Sequence, residues 1–551
     1  VIPSAQKVRT KFKNRYQLVV IGGGIYGAAL AWEAAHRGVE VLLAEGDDFA
    51  SGSSSNSLKI IHGGVRYLQQ FDLARSRASA NERRAFLRIA PHLVKPLPCT
   101  LPASGKISSG RLAVAAGMAL YNAISFDRNA GLLDENTLPP ARLTSMADLN
   151  HTLPPLAERG VTGAALWYDA QAWHTERLVI AFLRSAANVG AVIQNYLKAT
   201  EFATDSGQIS SVTLRDHDNS ETFEVAADAV VDCSSGSQFM GNALALTNNH
   251  VHYARGINLV IGQTLLQHGM GVRAQGKSAP NRLLFLTPWR DCTLAGTWYL
   301  PWDGTSLRVN EQEIKGLIEE LNSAFQRPLL QRQDIVDCHV GLLPLDGKPQ
   351  LDKLDTQLLK HNQQVDLSVS GMEGAYILRG TKYTMARAAA ERAVDHLAEH
   401  HQWRIRPSQS AIRTIDGGAI DDSKVELAAL QAAAKGKLSA ASAREILRHF
   451  GSNAQTMLTA GGHNASRFEL IPESHMPAVA INYVISREWC SSLADLVFRR
   501  IELRRQGRVP TSTLEFCCQR MASLLHWDTS EQLIQLQNVE QYGRMPTAPK
   551  Q

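Results

Sequence analysis

Three glycines, Gly22, Gly24 and Gly27, stand in the spacing G-x-G-x-x-G between an apolar run, Leu18–Ile21, and an Ala-rich stretch, Ala28–Arg37. A second apolar run, Val39–Leu43, follows, and Glu45 lies 18 residues past Gly27. Each part has a chemical task. Gly22 permits a tight turn, Gly24 lets the backbone approach a pyrophosphate, and Gly27 allows a helix to pack closely on a strand. The free N–H groups at the start of that helix favour an anion. A carboxylate at Glu45 is placed to accept from both ribose hydroxyls of an adenosine. A glycine-rich turn in another kind of α/β unit is the alternative. The full order of strand, turn, helix, strand and acid favours dinucleotide binding.

The elements that must carry this motif are α/β. At 551 residues the chain is too long for one simple core, so two or three domains are expected. With 44% hydrophobic and 20% charged residues it reads as an ordinary globular protein. A net charge of +5 is small for this size and gives no footprint for nucleic acid, although a local basic patch can still meet an anionic membrane. Seven cysteines are scattered without a C-x-x-C, which fits free thiols in a reducing cytosol, and no His/Cys/Asp cluster has metal-ligand spacing. No apolar run reaches the length of a membrane span. The opening segment, VIPSAQKVRTKFKNR, is basic and lacks the apolar core of a signal peptide.

Along the chain, a helical patch is expected at LAVAAGMALYNAIS and an amphipathic helix over Trp173–Val189. AVIQNYLKATEFATD, SVTLRDH and TFEVAADAVVDCSS follow as strands that return to the first sheet. INLVIGQ, RLLFLTPW and CTLAGTWYL predict a mixed sheet that roofs a substrate. Residues 366–398 read strand, glycine turn and helix, and close the nucleotide domain late in the chain. From about residue 405 amphipathic helices are expected, in EILRHF, INYVISREW and LADLVFRRIELRRQG. The domains are therefore a discontinuous nucleotide-binding domain over 14–400, with an inserted substrate region at roughly 101–160 and 251–350, and a C-terminal helical domain over 405–551.

IGGGIYGA, SLKIIHGGVRYL, YDAQAWHTERL, TPWRDCTLAGT and GTKYTMAR together resemble the FAD-dependent glycerol-3-phosphate dehydrogenase/oxidase family, within the amino-acid-oxidase-like flavoproteins. HFGSNAQTML and INYVISREWCSSLADLVFRRIEL are similar to that family's helical cap. The resemblance spans roughly residues 14–530. It implies a Rossmann-like FAD-binding domain, a mixed-sheet substrate domain and a C-terminal helical domain. FAD rather than NAD is the implied cofactor. The implied reaction passes a hydride from a substrate C–H to flavin N5, with electrons going on to a quinone or another acceptor. The implied location is the cytoplasm, with peripheral contact on the inner face of a membrane.

On the cofactor side, the resemblance points to the hydroxyl-rich FASGSSSNSLKIIHGG. Ser54, Ser55, Ser57 and Lys59 are expected to bond the flavin nucleotide, and His62, Gly63 and Gly64 to pass near its ring. VVDCSSGS, around Cys233–Gly236, matches a second flavin-contacting turn. Gly380, Thr381 and Lys382 occupy a backbone–flavin contact and an active-site lysine. Arg66, Tyr67 and Lys382 are the candidate catalytic residues, with Arg66 orienting an anionic substrate and Lys382 holding it or stabilising flavin charge.

The departures lie on the substrate side. Where the family has a phosphate-clamping arginine, GLLPL places Leu343, which cannot make a bidentate phosphate contact. Where it has a site histidine, RGIN places Asn258, which is no general base near neutral pH. Thr297, Trp298 and Tyr299 replace Thr-Thr-Asp, and HTERL, with His174 and Thr175, replaces an acidic Asp-Asp-Ala-Arg-Leu. Arg255, His174, Trp298 and Tyr299 are read as lining a pocket of different shape. Three functions follow: a dehydrogenase of glycerol 3-phosphate or a close polyol phosphate; an enzyme of the same fold acting on another hydroxy or amino compound; and a non-catalytic flavoprotein, against which Arg66, Tyr67 and Lys382 argue.

Overall fold

The computed structural model describes residues 12–104, 110–145, 156, 161–217, 220–234, 239, 252–275, 280–304, 306–347, 358–434, 436–460 and 468–542. The second half of the Cys233–Gly236 turn lies outside the described residues.

The first sheet has eight strands. Its central path runs β16 (Gln363–Asp366), β17 (Ala375–Arg379), β10 (Thr222–Asp232), β1 (Arg15–Ile21), β2 (Val41–Ala44) and β7 (Val192–Gln194). The four pairings from β17 to β7 are parallel, and β16 joins β17 antiparallel. β8 (Leu197–Asp205) and β9 (Gln208–Asp216) form an antiparallel extension beside β10. The segment AVIQNYLKATEFATD is thus two strands, broken at Tyr196, which takes a left-handed φ of 54°. β1 is all but buried along its apolar run, as a strand covered on both faces requires. Its carboxyl end and those of β2, β10 and β17 open on one edge, and ligands of such sheets bind there.

Helix α1 (Ile25–His36) leaves the glycine turn with every residue buried, between the sheet and neighbouring helices. Its approach depends on Gly27: a Cβ there would lie 1.9 Å from the Gly22 carbonyl oxygen. Gly22 itself holds a φ of +104°, where side chains are strained. The 3-10 turn Val65–Gln70 leads to α2 (Leu73–Ile89), and α3 (Arg111–Ile124) follows. His174 N-caps α4 (Thr175–Asn188) by accepting from Arg177 N–H at 3.2 Å.

The second sheet has nine strands: β15 (Ile335–Pro344), β11 (Tyr253–Ile261), β14 (Cys292–Pro301), β13 (Pro280–Trp289), β12 (Gly269–Gln275), β4 (Val94–Ser104), β6 (Val161–Ala172) and β3 (Ile60–Ile61), with β5 (Arg142–Thr144) on β6. It is mixed, because β12 and β4 run parallel and the other pairs antiparallel. Helix α5 (Glu311–Asn322) packs its apolar stripe on one face of this sheet, with Ile257, Trp298 and Ile335.

Helix α6 (Ala386–His400) returns to the first sheet. Beyond it, α7 (Ser423–Ala433), α8 (Ala440–Phe450), α9 (Ala454–Thr459), α10 (Val479–Arg487), α11 (Thr511–Leu525) and α12 (Thr529–Tyr542) enclose an apolar core of their own. LADLVFRRIELRRQG does not continue as one amphipathic helix. It forms a π-helix over Asp495–Arg500, and the left-handed backbone of Glu502 and Gln506 ends the helical run.

Candidate active site

The glycine turn has the geometry of an anion cradle. Gly24 stands at the N-terminus of α1 and brings no capping side chain of its own, so the first-turn N–H groups beyond Ile25 are left for an outside partner. A Cβ at Gly24 would touch only the Ser54 hydroxyl oxygen, at 3.1 Å. Ser54 accepts from Ile25 N–H at 2.9 Å, so the serine loop lies across the helix start. Glu45 accepts from Gly23 N–H at 2.6 Å and from Asp47 N–H at 2.9 Å. Burial pushes its carboxyl up to about 7, against the pull of those two N–H groups. A half-buried carboxylate with so few donors fits two ribose hydroxyls, and the open Gly24 cradle fits a pyrophosphate.

The remaining serines brace the loop. Ser55 donates to the Gly52 carbonyl at 2.9 Å, and Ser57 accepts from Lys59 N–H at 3.1 Å. Ser53, which the sequence reading passed over, donates to the Leu342 carbonyl at 3.1 Å and accepts from Leu342 N–H at 2.8 Å. It thereby ties the loop to β15. Lys59 corrects an expectation. Its fully buried ammonium donates to the Ser55 carbonyl at 2.8 Å, Thr175 Oγ1 at 2.9 Å and Glu176 Oε1 at 3.0 Å. Its donors are committed within the protein rather than offered to a nucleotide. Glu176, one position beyond the His174–Thr175 pair, supplies the carboxylate.

The loop then enters the chemistry. Gly63 N–H donates to Asp169 Oδ1 at 2.6 Å, and a Cβ at Gly63 would lie 2.1 Å from the Tyr121 hydroxyl. Gly64 takes a φ of +84° and turns the chain into Val65–Gln70. Tyr67 follows, 4% exposed, with a hydroxyl that has no protein partner among the described residues. The Lys382 ammonium lies 4.4 Å from its ring centroid and the Arg75 guanidinium carbon 4.3 Å. Arg75, absent from the sequence-based candidates, also donates to the Lys360 carbonyl at 2.6 Å. Exposed Arg66 has no hydrogen-bond or ion-pair partner among the described residues.

These charges act on one another. Burial first, then Arg75 and Arg66, lowers Lys382 to about 7, with Asp72 opposing weakly. Burial and the charges of Lys382, Arg66, Arg75 and Arg83 hold His62 down at about 3. His62 is therefore neutral, and its buried Nδ1 has no protein partner among the described residues. Its ring meets Tyr67 edge-on at 5.8 Å.

The turn at 380–382 is held from behind. Gly380 is a glycine because a Cβ there would lie 2.1 Å from the Tyr26 ring. The Tyr26 hydroxyl donates to the Lys382 carbonyl at 2.6 Å, and Thr381 gives both its N–H and its hydroxyl to Asn362 Oδ1, at 3.1 and 2.9 Å. The Tyr26–Asn362 brace had one sequence signal, the aromatic inside IGGGIYGA.

Strand alternation sorts the substrate-side candidates. Gly341 packs on Ser53, and a Cβ at Gly256 would meet Leu343 Cδ1 at 2.8 Å. Asn258 pairs with His339 and Gly256 with Tyr299, so Leu343, Asn258 and Tyr299 belong to the face nearest the serine loop. Asn258 accepts from Thr297 Oγ1 at 2.7 Å. Tyr299 is near enough to Tyr67 to help hold its hydroxyl protonated, after burial, which is the larger cause. Arg255 and Trp298 belong to the opposite face and correct the expectation that they line the pocket. Arg255 pairs with Glu313 Oε1 at 2.5 Å and donates to the Arg308 carbonyl at 2.8 Å, and Trp298 is buried in the core under α5. His174 is likewise a buried helix cap.

Comparison with known proteins agrees with this geometry. A model of the FAD dependent oxidoreductase family matches residues 17–396, and one of the C-terminal domain of alpha-glycerophosphate oxidase matches residues 409–532. The glycerol-3-phosphate dehydrogenase of Synechocystis sp. is 28% identical over 97% of this chain and 97% of its own. The aerobic glycerol-3-phosphate dehydrogenase of Escherichia coli is 27% identical over 92% and 98%. The mitochondrial enzyme of Mus musculus is 30% identical over 75% of this chain and 57% of its own length. The solved glycerol-3-phosphate dehydrogenase of Bacillus halodurans, complexed with FAD, shares the fold at a TM-score of 0.72 and 21% identity, covering 99% of this chain and 97% of that one. With the family model spanning the glycine turn, both sheets and the Lys382 turn, the chain belongs to the FAD-dependent oxidoreductases and is glycerol-3-phosphate dehydrogenase-like among them.

Proposed function

We propose that this protein dehydrogenates a hydroxyl group on a small anionic compound of the glycerol 3-phosphate class. The observation that carries this reading is the convergence of Lys382, Arg66 and Arg75 on Tyr67, beside the Gly380 turn. Such a cluster attracts an anion and holds it against the Tyr67 hydroxyl and His62 Nδ1, which have no partner among the described residues. Lys382, poised near 7, takes the proton of the reacting hydroxyl, while Arg66 and Arg75 hold the anionic end. Bound FAD supplies the hydride acceptor. Gly22, Gly24, Gly27, Glu45 and Ser54 are the residues that hold it.

A second reading is favoured by Leu343 and Asn258, which give the sheet wall an apolar and a neutral side chain. It is an enzyme for another anionic hydroxy or amino compound, whose charge is met by Arg66 and Arg75 alone. Anaerobic flavin bleaching separates the readings. Glycerol 3-phosphate, 2-hydroxy acids and amino acids are each mixed with the holoprotein. Fastest bleaching by glycerol 3-phosphate supports the first reading. Bleaching only by hydroxy or amino acids supports the second, and bleaching by neutral glycerol as fast as by any anion sinks both.

For the electron acceptor we propose a quinone reached from an anionic bilayer surface. Among the described residues no helix is long and apolar enough to cross a membrane. Helix α3 nevertheless buries only Met118 and Tyr121 of its apolar sequence. It leaves Leu112 88% exposed, and Phe126 and Phe71 nearby 75% and 83%. Residues 66–142 hold eleven Lys or Arg against five Asp or Glu, which suits anionic lipid. Co-sedimentation with anionic but not neutral vesicles, lost in Leu112→Asp/Phe126→Asp, is the expected result. Equal sedimentation of wild type and variant refutes the assignment.

A further inference from the structure

We propose that docking of the C-terminal helical region and binding of FAD form one coupled equilibrium, with Asp48 as the positioning residue between them. Asp48 follows Glu45 by three residues, is 2% exposed, and belongs to neither the glycine turn nor the cationic cluster. Its carboxylate is filled from the cap. Arg500 donates Nη2 to Oδ1 at 2.7 Å and Nη1 to Oδ2 at 2.8 Å, and Arg499 Nε also donates to Oδ2. From the nucleotide domain, Asn195 Nδ2 donates to Oδ1 at 2.9 Å.

The arginines are themselves fixed. They are adjacent in the π-helix Asp495–Arg500. Arg500 Nε donates to the Glu488 carbonyl at 2.7 Å and Arg499 Nη2 to Asp495 Oδ1 at 3.0 Å. Asp495 Oδ1 in turn accepts from the Tyr196 hydroxyl at 2.6 Å, and Tyr196 N–H donates to the Asp47 carbonyl at 3.0 Å. An ion pair this buried makes a weak stabiliser but a demanding specifier of geometry.

The other side of the same segment is the flavin site. Phe49 meets Trp489 of the cap edge-on at 5.5 Å, and its ring fills the space a Cβ at Gly23 would take, at 2.4 Å. Ala50 N–H donates to the Gly23 carbonyl at 3.1 Å. Asp47 N–H and Gly23 N–H both reach the Glu45 carboxylate. The six residues Glu45–Ala50 therefore contact the glycine turn on one side and the cap on the other. A cap that fixes their shape prepays the ordering that FAD binding otherwise requires, and linkage makes the effect reciprocal.

The test titrates apoprotein with FAD and follows amide exchange of residues 488–503 with and without FAD. Arg500→Lys keeps the charge but loses the two-pronged grip. Arg37→Lys is the control, because Arg37 is also a buried, ion-paired arginine, held by buried Glu33 at 3.1 Å and exposed Asp395 at 2.7 Å, at the far end of α1. We expect Arg500→Lys to raise the FAD Kd about tenfold or more, a change of one decade in the binding constant, with Arg37→Lys near wild type at a comparable loss of Tm. FAD should slow exchange at 488–503 in the wild type. Equal Kd values in the two variants would overturn the proposal, as would exchange at 488–503 that FAD leaves unchanged. The wild-type exchange arm decides alone if Arg500→Lys does not fold.

Discussion

The cofactor wall and the substrate wall of this site are built by different rules. The cofactor wall is mostly backbone: the turn Gly22–Gly24, the start of α1 and one carboxylate, Glu45. Its side chains are fixed by steric demands that leave few alternatives, such as the 1.9 Å approach behind Gly27. The substrate wall is made of side chains on strands β11, β14 and β15 and on the turns at Arg66 and Lys382. There stand Leu343, Asn258 and Tyr299, which the sequence resemblance sets against an arginine, a histidine and an acid. A backbone cradle for a constant ligand resists substitution. A wall that recognises by side chains changes one residue at a time without disturbing the fold.

The largest effect is expected at the residue that joins the two walls. Lys382→Met removes both a proton acceptor and a cation. Loss of a general base typically costs 10²–10⁴-fold, so flavin reduction should fall by about that much. In the wild type, kcat/KM should rise with pH through about 7 as Lys382 loses its proton, and level off above. The sign follows from burial and the Arg75 and Arg66 charges lowering the lysine. A rate that falls as pH rises through 7 would remove Lys382 from the role of base. Stopped-flow reduction at a series of pH values measures it.

Next comes the contrast between two glycines of one motif. Gly24→Val meets only the Ser54 hydroxyl, so the variant should fold while its side chain obstructs the pyrophosphate path. The purified protein should be colourless with a Tm near that of the apoprotein. Gly27→Val should instead lower Tm, because its Cβ collides with the Gly22 carbonyl. Glu45→Ala is milder. It should weaken FAD by about 1.5–3 kcal/mol for each ribose hydrogen bond lost, read by titration of the apoprotein. Unchanged affinity would refute the ribose contact.

Leu343→Arg sharpens the comparison from the substrate side. A charge-assisted pair of this kind is worth several kcal/mol when buried, and its restoration should raise kcat/KM for glycerol 3-phosphate more than for an uncharged polyol. Leu343 sits on the same strand face as Gly341, against the serine loop, so a longer side chain there extends toward the site. An equal change for both substrates would show that the position does not read charge.

What was legible in the sequence follows the same division. The glycine turn, Glu45 and the returning strand before Gly380 are local patterns, and they lie at one edge of the first sheet. Arg75 was not legible, because nothing in LARSRAS tells which arginine of a helix's first turn lies over a tyrosine. Gly380 was legible as a glycine but not for its reason, a ring 354 positions earlier in the chain. Lys59 and Glu176, or Asp48 and Arg500, are partners that only the closed fold brings together. Their burial makes them structurally demanding and leaves no local sequence trace.

Arg255 gives the smallest effect. Strand alternation puts it on the face away from the serine loop, paired with Glu313 of α5. Both partners are only partly exposed, so the pair is worth somewhat more than the usual 0.2–1 kcal/mol of a surface ion pair, and roughly 1–2 kcal/mol of stability should be lost in Arg255→Gln. The KM for the anionic substrate should not move, because no change at Arg255 reaches the face that holds Leu343, Asn258 and Tyr299. Arg66→Gln, matched to it in charge, should raise that KM about tenfold, the effect of losing one charge-assisted hydrogen bond. If the two variants raise KM alike, the assignment of faces by alternation is wrong and the anion sits nearer β11 than Tyr67.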